Sequence, residues 1–148
     1  YLINSFKNVN TKHKLVIAGG SSDTDEYMAE VKKAAMNDSR ICFTGFVQGD
    51  ILQELYSNAY VYVLPSDLEA MSYGNCCLVS DIKEITEVVG NRAVIFQKGN
   101  VTMLTEKLQY LCDSEKEVNR YKLQAADFIC EKYNWDFVAN ETLSVYLK

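Results

Sequence analysis

Glycines and hydroxyl side chains follow several short apolar segments of the sequence. Of the patterns in the sequence, this one indicates a ligand-binding site most clearly. The best example is the β-branched run at 14–18, which leads into Gly19, Gly20 and Ser21. Exposed backbone N–H groups at such turns and at helix N-termini suit a phosphorylated ligand. Comparable turns follow the other apolar runs, at Thr44-Gly45-Phe46, Pro65-Ser66-Asp67, Ser80-Asp81 and Lys98-Gly99. The pattern favours phosphate binding, although glycines also end strands for purely structural reasons.

Residues that could support other chemistry are scattered. The single histidine, His13, lies between lysines without a partner for a triad or a metal site, so we interpret it as a structural surface residue. The five cysteines have no C-x-x-C spacing and lie mostly in apolar stretches, which is typical of reduced core residues. Glu84 and Glu87 are three residues apart, and a solvated helix face explains them as well as paired acid–base chemistry. The acidic run Asp23-Thr24-Asp25-Glu26 is interpreted as a helix N-terminus and not as a metal site, and no histidine cluster indicates a metal.

Composition limits the function classes. The chain has 148 residues, 48% hydrophobic and 24% charged, which fits one globular domain. With 15 Lys plus Arg against 20 Asp plus Glu, the net charge is −5, so the chain lacks the basic surface expected for nucleic acid or an anionic membrane. No apolar run approaches the roughly 20 residues of a membrane-spanning helix, and the N-terminal residues do not resemble a signal peptide.

The elements that position these turns alternate along the chain. Apolar runs predict strands at 14–18, 41–43, 60–64, 76–79 and 93–96, each followed by a segment of helical periodicity, and helices are predicted throughout the C-terminal part. Asp50 and Asn100 are predicted helix caps, and Ser80-Asp81 is predicted mainly as the cap of the next helix. The sequence therefore predicts an α/β, Rossmann-like three-layer sandwich with a parallel sheet of five or more strands and helices on both faces. Ligands of such sheets bind beyond the carboxyl ends of the strands.

Three motifs resemble the donor-binding half of retaining GT-B glycosyltransferases of group 1. These are Val63-Leu64-Pro65-Ser66, the helical segment Leu68-Glu69-Ala70-Met71-Ser72-Tyr73-Gly74, and the strand end with its acidic helix, Leu78-Val79-Ser80-Asp81-Ile82-Lys83-Glu84-Ile85. Upstream, the runs at 15–19 and 43–47 are similar to the family's first strand with its glycine turn and to its base-contacting turn. The resemblance covers nearly the whole chain.

The resemblance implies a nucleotide-sugar donor site, with a UDP- or GDP-linked sugar as substrate and no metal or cofactor. It implies that Glu69 accepts hydrogen bonds from both ribose hydroxyls, that Gly19, Gly20 and Ser21 approach the donor phosphates, and that the base is framed by Thr44, Gly45, Phe46 and Val47, with Ser66 and Leu68 shaping the site. Each residue also has a structural interpretation: Glu69 as a solvated helix start, the glycines as a plain turn, Phe46 as core. No catalytic residue is identified.

Two departures from the family pattern stand out. Ser66 and Glu69 are three residues apart, whereas the family usually has about ten residues there, including a first glutamate. Either this protein has lost half of the paired-glutamate motif, or a loop near Asp67–Leu68 is missing from the sequence; the intact flanks favour the missing loop. The basic residues that hold the donor diphosphate in the family, and its acceptor domain, would lie upstream of Tyr1.

We therefore expect residues 1–148 to be one donor-binding domain, the C-terminal half of a two-domain enzyme of polysaccharide biosynthesis. A saccharide or lipid-linked acceptor would bind the missing N-terminal domain, so the chain alone is expected to be inactive. The location is expected to be cytoplasmic, with peripheral attachment to the inner face of the membrane through the missing domain left open. The alternative is a non-catalytic flavodoxin-like or receiver-like binding module, although the strand ends lack the acidic residues of a receiver.

Overall fold

The computed structural model describes residues 1–20, 25–63, 71 and 73–132, in which helices and strands alternate. The elements are α1 (Leu2–Lys7), β1 (Leu15–Ala18), α2 (Asp25–Ala35), β2 (Ile41–Gly45), α3 (Asp50–Asn58), β3 (Tyr62–Val63), β4 (Cys77–Ser80), α4 (Lys83–Val89), β5 (Val94–Phe96), α5 (Val101–Asp113) and α6 (Glu115–Lys132). The predicted final helix lies outside the described residues.

The strand pairings of the described residues are parallel. β1 pairs with β2, with Leu15 opposite Ile41. β4 lies between β3 and β5, with Leu78 opposite Val63 on one side and Val94 on the other. Parallel strands joined through helices confirm the α/β class that the sequence predicts.

The strands form two hydrogen-bonded groups, β1–β2 and β3–β4–β5. β1 and β3 both line a cavity of about 540 Å³, whose apolar lining includes Ile17, Leu55 and Val63. Within the described residues, β1 is hydrogen-bonded to one strand only, β2.

The core lies on both faces of β4, all of whose residues are buried. Leu78 packs in one cluster with residues of β5 and α5, and Val79 packs in the other with Tyr56 and Val89. Burial raises the pKa of the Cys76 and Cys77 thiols to about 12. These cysteines are unreactive core residues, as the sequence predicts.

Arg40, just before β2, fixes the link between α1 and β1. Its guanidinium donates to the carbonyl oxygens of Val9 (2.7 Å) and Thr11 (3.3 Å) and lies over the ring of Phe6. A second nitrogen pairs with Asp38 at 2.7 Å. Since β1 begins at Leu15, four residues after Thr11, the Arg40 side chain helps to position the strand that leads into the glycine turn.

Candidate functional site

The turns after β1 and β2 meet at the carboxyl edge of the two-stranded sheet. The Gly19 N–H donates to the Gly45 carbonyl over 2.9 Å, and the Thr44 hydroxyl donates to the same oxygen over 3.0 Å. Gly19 and Gly45 have φ angles of +142° and +70°, conformations that favour glycine. The structure thus brings together two of the turns that the sequence predicts as parts of one site.

A β-bulge shapes the end of β2. Ile17 lies opposite Phe43, but Ala18 lies opposite Gly45, so Thr44 is the extra residue. Bulges bend a strand and redirect its side chains, and they are common beside binding sites. This irregularity could not be predicted from the sequence, because it depends on the register between β2 and β1.

Phe46 projects from this turn into solvent. Its side chain is 75% exposed, which excludes the interpretation of Phe46 as a core residue. A Cβ atom at Gly20 would lie 3.6 Å from the Phe46 Cβ, so the glycine turn runs directly against this aromatic residue. Val47, the next residue, is half-buried. An exposed ring beside accessible backbone offers a flat apolar surface and hydrogen-bonding groups to the same ligand.

The other predicted site residues lie outside the described residues. These are Ser21, which follows β1, and the residues that follow β3, namely Ser66, Leu68 and Glu69. The roles that the sequence suggests for them stay predictions.

Asp81 does not cap the following helix, and that prediction is wrong. The N-cap of α4 is Ile82, which makes no side-chain cap hydrogen bond. The Asp81 carboxylate instead accepts from the Lys98 N–H over 2.8 Å, and the Asp81 N–H donates to the Phe96 carbonyl. These bonds extend the β4–β5 pairing and direct the carboxylate sideways, toward the turn after β5.

Of the two other predicted helix caps, Asn100 is confirmed and Asp50 is wrong. Asn100 caps α5, since its side chain accepts from the Met103 N–H. Asp50 is not the cap of α3, because the N-cap is Gly49 and Asp50 lies in the first helical turn. Its charge still lies at the favourable end of the helix dipole.

Ser80 is a feature that the sequence analysis did not single out by itself. It ends β4, is 0% exposed, and its hydroxyl has no hydrogen-bond partner among the described residues. The apolar residues before it indicate burial, but the missing partner becomes visible only in the folded structure.

The described part of the chain does not bring together side chains for metal binding or for histidine-dependent catalysis. Among those residues no three His, Cys, Asp or Glu side chains are placed to hold a metal ion. His13 stacks on the Tyr60 ring with centroids 4.2 Å apart, which agrees with a structural role. None of the described helices is long and apolar enough to cross a membrane.

The sequence matches the family model described as "Glycosyl transferases group 1" over residues 1–114. Among curated proteins, it is 33% identical over 162 residues to an uncharacterized glycosyltransferase of Methanocaldococcus jannaschii, covering 99% of this chain and 40% of the relative. It is 26% identical over 169 residues to the α-maltose-1-phosphate synthase of Mycobacterium tuberculosis, covering all of this chain and 44% of that protein.

Among solved structures, the chain is similar to Anabaena HepE, crystallised in complex with UDP and glucose. The TM-score is 0.84 at 17% identity, over 97% of this chain and 44% of HepE. This likeness shows a common fold and confirms the Rossmann-like arrangement. The chain spans less than half the length of these relatives.

Both sequence alignments are longer than the chain, at 162 and 169 positions against 148 residues. The relatives therefore contain residues within the aligned region that have no counterpart here.

Proposed function

Because the chain belongs to the group 1 glycosyl transferases and has the fold of the C-terminal half of a GT-B enzyme, we propose that it binds the nucleoside-diphosphate sugar donor of a retaining glycosyltransferase. The sugar passes from this donor to a saccharide or lipid-linked acceptor. The family match leaves the flavodoxin-like or receiver-like alternative without support.

One observation carries the proposal. Gly20 lies against Phe46 at the carboxyl ends of β1 and β2, and the preceding Gly19 N–H is bonded to the Gly45 carbonyl. This is the edge at which sheets of this type bind nucleotides. The glycine turn allows phosphate oxygens to approach the backbone, and the Phe46 ring provides a surface for a base.

We assign the remaining contacts from the motifs that resemble the family. Glu69 accepts hydrogen bonds from the two ribose hydroxyls, Ser21 lies with Gly19 and Gly20 near the phosphates, and Ser66 and Leu68 shape the site. The base is uracil or guanine, framed by the backbone of residues 44–47. The donor is bound as a substrate, without a resident metal.

The acceptor is proposed to bind a second domain. The chain covers 40% to 44% of its relatives, which leaves room in proteins of their length for such a domain. Transfer requires donor and acceptor to be held together, so residues 1–148 alone are expected to transfer no sugar. The proposed location is the cytoplasm.

A loop near Asp67–Leu68 is part of the proposal. Such a loop would give Ser66 and Glu69 the spacing that is usual in the family, and it would carry the first glutamate of the family motif. Both relatives have residues within the aligned region that lack a counterpart here, as such a loop requires.

A pair of equally exposed residues tests the proposal. Phe46 and Leu123 are both 75% exposed, so neither Phe46→Ala nor Leu123→Ala should alter folding. Stacking of a base on an aromatic side chain contributes about 1–3 kcal/mol, so Phe46→Ala should weaken binding of UDP or GDP by about 5- to 150-fold. Calorimetric titration of the intact protein measures both affinities. The Leu123 variant should bind like wild type, and equal affinity of the two variants would contradict the proposed site.

A further inference from the structure

Ser80 carries a buried hydroxyl for which the described part of the chain offers no hydrogen-bond partner. The residue is 0% exposed, and its Oγ has no hydrogen-bond partner among the described residues. A buried hydroxyl without a partner loses its hydration and gains nothing in return, so it destabilises the protein. Folding alone would favour an apolar residue at this position, like its neighbours Leu78 and Val79.

A second buried serine shows what a structural hydroxyl looks like in this protein. Ser5 in α1 is also 0% exposed, but its Oγ donates to the Val101 carbonyl over 3.1 Å. The Ser5 carbonyl in turn accepts from the Thr105 hydroxyl over 3.3 Å. Ser5 therefore ties α1 to α5, whereas the Ser80 hydroxyl makes no such bond to any residue that the structure describes.

The position of Ser80 suggests what its hydroxyl serves. It is the last residue of β4, two positions beyond Leu78, which pairs with the last described residue of β3. On the other side Ser80 pairs with Phe96, and the next residue, Asp81, is fixed to the turn after β5 through the Lys98 N–H. Ser80 thus lies just beneath the carboxyl edge of the three-stranded sheet, where nucleotides bind in such folds.

We propose that Ser80 is a positioning residue of the donor site, whose hydroxyl forms its hydrogen bond when nucleotide binds. This inference rests on the proposed function. Because no part of Ser80 is accessible, the hydroxyl does not touch the ligand; its partner is a backbone group at the carboxyl edge that comes within reach in the bound protein. Nucleotide binding then relieves the cost of the unpaired hydroxyl, and this relief contributes to affinity.

Paired serine-to-alanine variants of the intact protein separate this role from a structural one. Ser5→Ala removes a bond made in the free protein, so it should lower Tm by about 2–6 °C and leave nucleotide affinity unchanged. Ser80→Ala should leave Tm unchanged or raise it, because it removes an unpaired polar group. It should weaken UDP or GDP binding by about 5- to 30-fold. Ser80→Cys, with a thiol that is a weak donor, should fall between wild type and Ser80→Ala.

Thermal unfolding without nucleotide and calorimetric titration with UDP and GDP provide the two readouts. A loss of Tm in Ser80→Ala as large as that in Ser5→Ala would show that the hydroxyl is already bonded in the free protein, and would overturn the inference. Unchanged affinity of Ser80→Ala beside nucleotide-binding wild type would overturn it while leaving the proposed function intact. If wild type binds neither nucleotide, the proposed function fails and this inference fails with it.

Discussion

Among individual residues, Glu69 is the one on which the proposed donor binding depends most. A carboxylate that accepts hydrogen bonds from two ribose hydroxyls should contribute about 1.5–3 kcal/mol. Glu69→Ala should therefore weaken UDP or GDP binding by about 10- to 100-fold. Glu84→Ala is the matched control, since Glu84 is an exposed glutamate in the first turn of α4. Calorimetric titration should show the loss for Glu69→Ala only, and equal affinities would reduce Glu69 to a solvated helix residue.

Individual site residues differed in how far the sequence could predict them. Gly19, Gly20 and Phe46 could be placed at one edge because strand ends in a parallel sheet share that edge. The partner of Asp81 could not be predicted, because Lys98 is 17 residues away and local patterns favour a helix cap. The state of the Ser80 hydroxyl likewise depends on tertiary neighbours.

At the scale of elements, Arg40 and Asp38 anchor the segment between α1 and β1. The Arg40 hydrogen bond lowers the pKa of the Asp38 carboxyl from 3.8 to about 2. A carboxyl whose pKa is lower in the folded than in the unfolded protein stabilises the fold above its unfolded pKa. That contribution is lost as pH falls through the folded pKa.

Asp38→Asn should therefore be less stable than wild type at neutral pH. The difference in unfolding free energy should stay constant down to about the unfolded pKa of 3.8, and should shrink as the pH approaches 2. Denaturant unfolding at several pH values measures it. Glu87→Gln is the control, since the Lys83–Glu87 pair is exposed and should contribute little. A difference that grows on acidification would contradict the assignment.

The order of helices and strands was predictable because periodicity is a local property. The division of the strands into two hydrogen-bonded groups could not be predicted. It depends on whether β1 and β3 pair with each other, and in the structure both strands instead line a cavity. The Thr44 bulge also arises from pairing between strands and leaves no local signal.

For the whole molecule, composition, acidic charge and strand–helix alternation already indicated a globular α/β domain. The match to the group 1 family over residues 1–114 agrees with the motifs that pointed to GT-B enzymes. The base, the sugar and the acceptor could not be derived from the sequence. Contacts made by the backbone do little to distinguish one base from another, and the proposed acceptor domain lies outside this sequence.

Titration of wild-type intact protein with UDP, GDP and their 2′,3′-dideoxy analogues tests the central claim of donor binding most directly. We expect saturable binding of at least one nucleoside diphosphate at a single site. The matching dideoxy analogue should bind about 10-fold more weakly or worse, because the ribose hydroxyls are lost. Absence of saturable binding for both nucleotides, or equal binding of the normal and dideoxy forms, would contradict it.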